Sequence, residues 1–160
     1  MRTSIKMMVF VMALIVTSCS TTKTTPETIN EVKTKVSTQN FKINVNKAIP
    51  LRMRPVYLTS AYDFTLKGDS AFAYLPYYGV AQSAPYGSTE GGIKFAEPVS
   101  EYKYTENSKK RYHNISFKVQ SGAYNYQVRI DVFENGNTTL NINSYQRDGI
   151  TFYGEMVLDK

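Results

Sequence analysis

The chain reads as mainly β: an antiparallel meander closing into a barrel-like or sandwich domain, preceded by a short N-terminal helix. Three observations carry this. First, Ile115, Phe117 and Val119, then Tyr124, Tyr126, Val128, Ile130 and Val132, alternate with polar residues. Strict period two buries one face of a strand and wets the other. Second, the pairs Gly68-Asp69, Asn135-Gly136 and Asp148-Gly149 punctuate the apolar rows as tight turns. Third, the chain holds 13 tyrosines and no tryptophan, and tyrosine and threonine suit strands.

In chain order, Arg2 and Lys6 precede an apolar run from Met7 to Val16. A membrane-spanning helix needs roughly 20 apolar residues, so this run has the length of a signal-peptide core behind a basic start. Val16-Thr17-Ser18-Cys19 follows. It resembles a bacterial lipobox, which implies a diacylglyceryl group on the Cys19 thiol, cleavage before Cys19 and a third acyl chain of palmitate type on the new amino terminus. Two or more acyl chains hold a protein firmly on a membrane, whereas one does not. Cys19 is the only cysteine, so no intramolecular disulfide exists, and lipidation accounts for a lone thiol in an exported chain.

Residues 1–18 are therefore expected to be a lipoprotein signal peptide, and residues 19–38 the lipidated cysteine, a tether and the helix. Residues 39–160 would form a single β-rich domain. Without the signal's two basic residues, 19 basic side chains fall to 17 against 13 acidic ones, a net charge of +4. That mild excess is no nucleic-acid footprint, and an exported address excludes nucleic acid independently.

Thr25-Pro26-Glu27 predicts the start of the helix: a threonine cap, proline in the first turn and an acid at the positive end. Ile29, Val32 and Val36 would share its buried face. Strand signals follow. Phe41, Ile43 and Val45 alternate, as do Tyr62, Phe64 and Leu66. Beyond Gly68-Asp69 come Ala71 to Leu75, then shorter candidates at Ile93 to Ala96 and Tyr102 to Thr105. The C-terminal rows close with Leu140 and Ile142, then with Ile150, Phe152 and Met156. Eight or so strands in one domain must hide their edges, in a barrel, a sandwich or a strongly bent sheet covered by the helix.

The middle of the chain is its most distinctive part. It runs Asp69-Ser70-Ala71-Phe72-Ala73-Tyr74-Leu75-Pro76-Tyr77-Tyr78-Gly79-Val80-Ala81, then Ala84-Pro85-Tyr86 and Gly91-Gly92-Ile93-Lys94-Phe95; Arg147, Ile150 and Gly154 fall in the last hairpin. From about Phe41 to Leu158 this order resembles a Bacteroidetes family of small lipoproteins, domain-of-unknown-function family 4251. Its pattern combines a turn containing Asp-Ser, an LPY(F/Y)G(R/V)A stretch, a GGI.F stretch and a closing hairpin with arginine. Val80 stands where many members carry arginine. The resemblance implies an envelope address and a β fold; the family carries no established activity.

Pro76 cannot donate to a sheet ladder and is expected to end a strand. Gly79 would give the chain freedom to turn there. Tyr74, Tyr77, Tyr78 and Tyr86 are the candidate ligand-binding residues, stacking on a sugar or an apolar ligand. The competing expectation is a structural plug of buried tyrosine rings. Gly91-Gly92 lacks the spacing of a phosphate loop. Asp69-Ser70-Ala71 is similar to a short O-glycosylation pattern of exported Bacteroidetes proteins, which makes Ser70 a candidate modification site beside its plainer role in a turn.

Catalytic chemistry is sparse. One histidine, His113, and one lipidated cysteine exclude a cysteine–histidine pair or a zinc cluster in the mature domain. No GxSxG elbow is present. His113, beside Lys109-Lys110-Arg111, is expected to be an exposed or half-buried strand residue. Asp63 and Asp131 sit on polar strand faces with no spacing that pairs them.

The expectation is a non-enzymatic, membrane-anchored cell-envelope lipoprotein without metal or cofactor, binding a small apolar or glycan ligand. A structural lipoprotein docking onto another envelope component is the alternative, and a carboxylate-based hydrolase a distant third. Its partners would be membrane lipid through Cys19, that ligand, or an envelope protein. Ser20 after the cysteine favours the outer membrane, and Thr21-Thr22-Lys23, which lacks an acidic cluster, favours the periplasmic face.

Overall fold

A threonine cap starts the first helix. The computed structural model describes residues 24–80 and 91–159. Helix α1 spans Pro26–Ser37, and the Thr25 hydroxyl accepts a hydrogen bond from the Thr28 amide. Glu27 lies in the first turn and Lys35 in the last, both favourable to the helix dipole. Val32 and Val36 are buried and Ile29 half-buried, so the predicted apolar face is the one that packs.

Eight strands follow: β1 Asn40–Pro50, β2 Val56–Lys67, β3 Ser70–Leu75, β4 Ile93–Asn107, β5 Tyr112–Ser121, β6 Tyr124–Phe133, β7 Asn137–Ser144 and β8 Arg147–Met156. Each pairs antiparallel with the next, and β1 pairs with β8, so the meander is a closed barrel. The seam runs from Ile43 opposite Met156 to Pro50 opposite Ile150. Register shifts at Val45/Lys47, Ser100/Lys103 and Ile142/Ser144 bend the strands enough to close. Gly154, opposite Val45, is needed at the seam because a side chain there would run into the Asn44 carbonyl.

Inward residues fill the barrel. Phe41, Ile43, Phe64, Leu66, Leu75, Ile93, Phe95, Ile115, Phe117, Ile130, Leu140, Ile142, Ile150 and Phe152 belong to one buried cluster that also holds Val32 and Val36 of α1. Phe64 stacks on Phe117 at 6.2 Å, and Phe95 meets Tyr126 at 5.4 Å. An eight-stranded barrel is just wide enough for side chains to fill it. Each fully buried valine or larger apolar side chain stabilises the fold by about 1.5–3 kcal/mol. The helix therefore shares the core with the strands.

The barrel has two unlike ends. The turns β2–β3, β4–β5 and β6–β7 lie at the end where α1 enters β1. Helix α1 is tied there by Lys33 to Glu106 (3.6 Å), Lys35 to Asp159 (3.0 Å) and the Asp159 amide to Glu31 (2.6 Å). The distal end carries the β1–β2 loop, the segment between β3 and β4, and the β5–β6 and β7–β8 turns.

Several expectations are corrected. Ile93 to Ala96 and Tyr102 to Thr105 belong to one 15-residue strand, β4, interrupted only by the bulge where Glu101 takes a positive φ of 53°. Asp148-Gly149 is not a turn: the chain reverses at Tyr145 and Gln146, and Asp148 and Gly149 lie inside β8. Gly149 leaves room for Asn143, while Gln146 bonds the Ala123 carbonyl at 2.9 Å and ties two distal turns together. Asn135-Gly136 does form its turn, with Gly136 at φ 86° and its amide donating to Phe133.

His113 is buried, only 3 % exposed, rather than exposed or half-buried. The β4–β5 turn itself is exposed, but two residues into β5 the alternation carries His113 inward. Its Nδ1 lies 2.9 Å from the Tyr104 hydroxyl, and the two rings stack. Burial pushes its pKa below the ordinary 6.5 and Lys33 lowers it further, against the opposing pull of Glu106 and Glu134.

Two predictions follow from these packing facts. Gly154→Ala is expected to cost about 1–3 kcal/mol, read as a lower urea midpoint, because the seam must shift away from the Asn44 carbonyl. His113 is held neutral in the fold, so its contribution is complete above pH 6.5 and is lost as pH falls through the depressed folded value. Urea melts of wild type and His113→Gln across that range should converge as the pH falls, the variant showing the flatter profile.

Candidate functional site

At the distal end, the strand β3 stops at Leu75 and Pro76, and the following residues fold back onto β8. The Tyr77 hydroxyl lies 3.1 Å from the Val80 carbonyl and 3.1 Å from the Asp148 carbonyl, as donor to them. The Asp148 amide donates to the Val80 carbonyl at 3.1 Å, and the Val80 amide to the Asp148 carboxylate at 3.4 Å. Arg52 of the β1–β2 loop reaches the same carboxylate at 3.2 Å. Asp148 thus ties together three chain segments. Burial and the nearby Asp148 carboxylate push the Tyr77 hydroxyl's pKa up, against the opposing pull of Arg147.

Gly79 serves this contact by its size. A Cβ there would sit 2.6 Å from the Tyr77 hydroxyl, and its φ lies outside the positive range. The expected conformational freedom is not what the position uses; the close approach of Tyr77 is.

Arg147 occupies the space behind this segment. It is 9 % exposed, with its guanidinium 4.2 Å from the Tyr124 ring centre and 5.2 Å from that of Tyr77. Such cation–π contacts are worth about 0.5–2 kcal/mol each. Nη1 donates to the Gly92 carbonyl at 3.0 Å. Nε is buried with no partner, and so is the Tyr124 hydroxyl. Tyr126 stacks beside Tyr124 at 5.7 Å, and burial raises its pKa while Arg147 lowers it. Among the described residues no carboxylate pairs with Arg147. Around this centre the rim is exposed and mixed: Leu51, Met53 and Tyr145 are apolar, and Arg52 and Arg54 are basic.

The predicted site residues divide. Tyr77 and Tyr78 are half-buried against the core at this end. Tyr74 is elsewhere, half-exposed on the outer wall, stacked on Tyr62 at 5.6 Å with the Lys94 ammonium 5.3 Å from its ring. Tyr86 and Cys19 lie outside the described residues. Ser70 opens β3 and its hydroxyl bonds the Asp69 carboxylate at 2.9 Å. Asp63 pairs with Lys42 and Asp131 accepts from Asn114.

The family model for a domain of unknown function, DUF4251, matches residues 23–156. The chain belongs to this family. A solved structure of a DUF4251 family protein from Bacteroides eggerthii is similar to the chain, with a TM-score of 0.63 at 18 % identity, covering 82 % of this chain and 87 % of the other. At that identity the likeness is one of fold. No curated protein matches the chain.

Within the DUF4251 domain, Tyr124, Arg147 and Asp148 were not singled out as site residues in the sequence. Arg147 was visible as part of the closing hairpin, whereas Tyr124 looked like any inward strand tyrosine and Asp148 like a turn residue. Tyr77→Phe is expected to destabilise by about 0.5–1.5 kcal/mol through its lost hydrogen bonds. It should also speed proteolytic cleavage between β3 and β4, with the strand circular dichroism unchanged.

Proposed function

We propose that this DUF4251 protein is a cell-envelope lipoprotein, anchored through acyl chains on Cys19, that acts as a non-enzymatic binding module with its ligand site at the distal end of the barrel. The observation that supports this reading is the pair of buried donors without partners, Arg147 Nε and the Tyr124 hydroxyl, set among tyrosine rings. A buried donor left unpaired costs about 1–3 kcal/mol, and more when charged. A ligand that accepts from both recovers that cost on binding, and flat tyrosine rings suit the faces of a sugar.

An apolar ligand within the barrel has less support, because the inward positions are occupied by the phenylalanines and branched aliphatics of the core. A polar groove of about 260 Å³ lies on the outer wall between Lys103, Lys118, Arg129 and Asn143, and its open, solvated lining makes it the weaker candidate. The docking alternative rests on the exposed rim: Leu51 is 68 % and Tyr145 81 % exposed. A partner covering that rim would bury both.

Native mass spectrometry of the protein, extracted from its host in mild detergent, tests the reading. The expected species is the chain from Cys19 carrying acyl groups and a discrete further mass that leaves on denaturation. Acylated chain alone would reject the ligand and turn attention to cross-linking at the rim. An unacylated Cys19 would reject the anchor.

A further inference from the structure

We propose that the distal site takes a carboxylate, the acidic group of a uronic-acid type saccharide, on the Nε–Nη2 edge of Arg147. This rests on the binding-module reading above. Nη1 is already engaged by the Gly92 carbonyl, which fixes the guanidinium and leaves its other edge. On that edge Nε is buried and unpartnered, and Nη2 makes no hydrogen bond among the described residues. Two parallel N–H groups in one plane match the two oxygens of a carboxylate. The Tyr124 ring lies 4.2 Å from the guanidinium carbon, and its own hydroxyl is buried and unpartnered, which makes it the third donor of the proposed site.

Charge selects the class of anion. Arg147 is one buried cation, and among the described residues no carboxylate is paired with it. The next arginine, Arg52, is bound to Asp148, whose carboxylate also accepts from the Val80 amide. One positive charge and three donors neutralise a monoanion. A dianionic phosphate would bring an unmatched charge into a desolvated site. A neutral sugar would leave the guanidinium uncompensated.

Arg147 packs against the Tyr77 ring, and Tyr77 is latched to β8 through the Asp148 carbonyl. The ligand reaches the edge when the segment from Tyr77 to Val80 lifts from β8.

The test uses the protein purified from its host in detergent and freed of any bound mass, titrated with D-glucuronate, acetate, D-glucose and inorganic phosphate by calorimetry. The Arg147 Nε–H resonance of ¹⁵N-labelled protein is followed in parallel. Glucuronate is expected to bind more tightly than acetate and to move that resonance saturably, with glucose inert and phosphate weaker. Arg147→Gln should weaken glucuronate by more than ~10-fold. Because that variant removes a packed side chain, Tyr124→Phe is the second probe. It deletes only an unpaired buried hydroxyl, so the urea midpoint should hold or rise while glucuronate affinity falls severalfold. Glucose binding equal to glucuronate, phosphate binding more tightly, no probe binding, or Tyr124→Phe leaving affinity unchanged would each overturn the carboxylate assignment. A neutral ligand found by native mass spectrometry would overturn it while the binding module stands.

Discussion

The pairing of β1 with β8 is the contact on which the rest of the structure depends. Seven of the eight strand pairings join neighbours in sequence, and each could form in an open, twisted sheet. Only the seam removes the two edges that such a sheet would expose. It requires that β1 and β8 approach without a side chain between Gly154 and the Asn44 carbonyl, and that bulges bend both strands. Once it forms, the inward faces of all eight strands meet, and the barrel is small enough that their side chains fill it.

Closure also makes two ends out of one sheet. At one end α1 contributes Val32 and Val36 to the core, and its Lys33 acts electrostatically on the buried His113. At the other end the described residues hold no helix, and Pro76 to Val80 fold back onto β8 instead. It is held by polar contacts: Tyr77 to Asp148, Val80 to Asp148, and Arg52 to Asp148. A helix sealed by apolar side chains and loops latched by hydrogen bonds differ in how readily they open. The buried arginine lies at the end closed by these polar contacts.

Much of the fold was legible along the chain. The helix cap at Thr25, the alternating rows of β5, β6 and β7, and the turns at Gly68 and Gly136 all depend on residues close in sequence. Legibility failed where the partner was distant. Asp148-Gly149 looked like a turn because its local chemistry is that of one, but Asp148 is committed to Val80 and Arg52, many residues away. The halves of β4 looked separate because a bulge hides the continuity of a long strand. His113 looked exposed because its charged neighbours belong to a turn that ends just before it. The tyrosines of the central stretch are conspicuous by composition, yet Tyr74 faces outward from β3 while Tyr77, beyond the end of that strand, braces the mouth.

The sequence by itself determined the class of fold, the family and the strand faces, because period-two patterning, turn pairs and the central motif are properties of neighbouring residues. The tertiary structure alone decided that the meander closes as a barrel and that Tyr77, Tyr124, Arg147 and Asp148 meet at one end. Closure is a pairing between the first and last strands, and the site joins residues from positions 77 to 148; no local pattern encodes either, since both arise from the register of a whole ring of hydrogen-bonded strands.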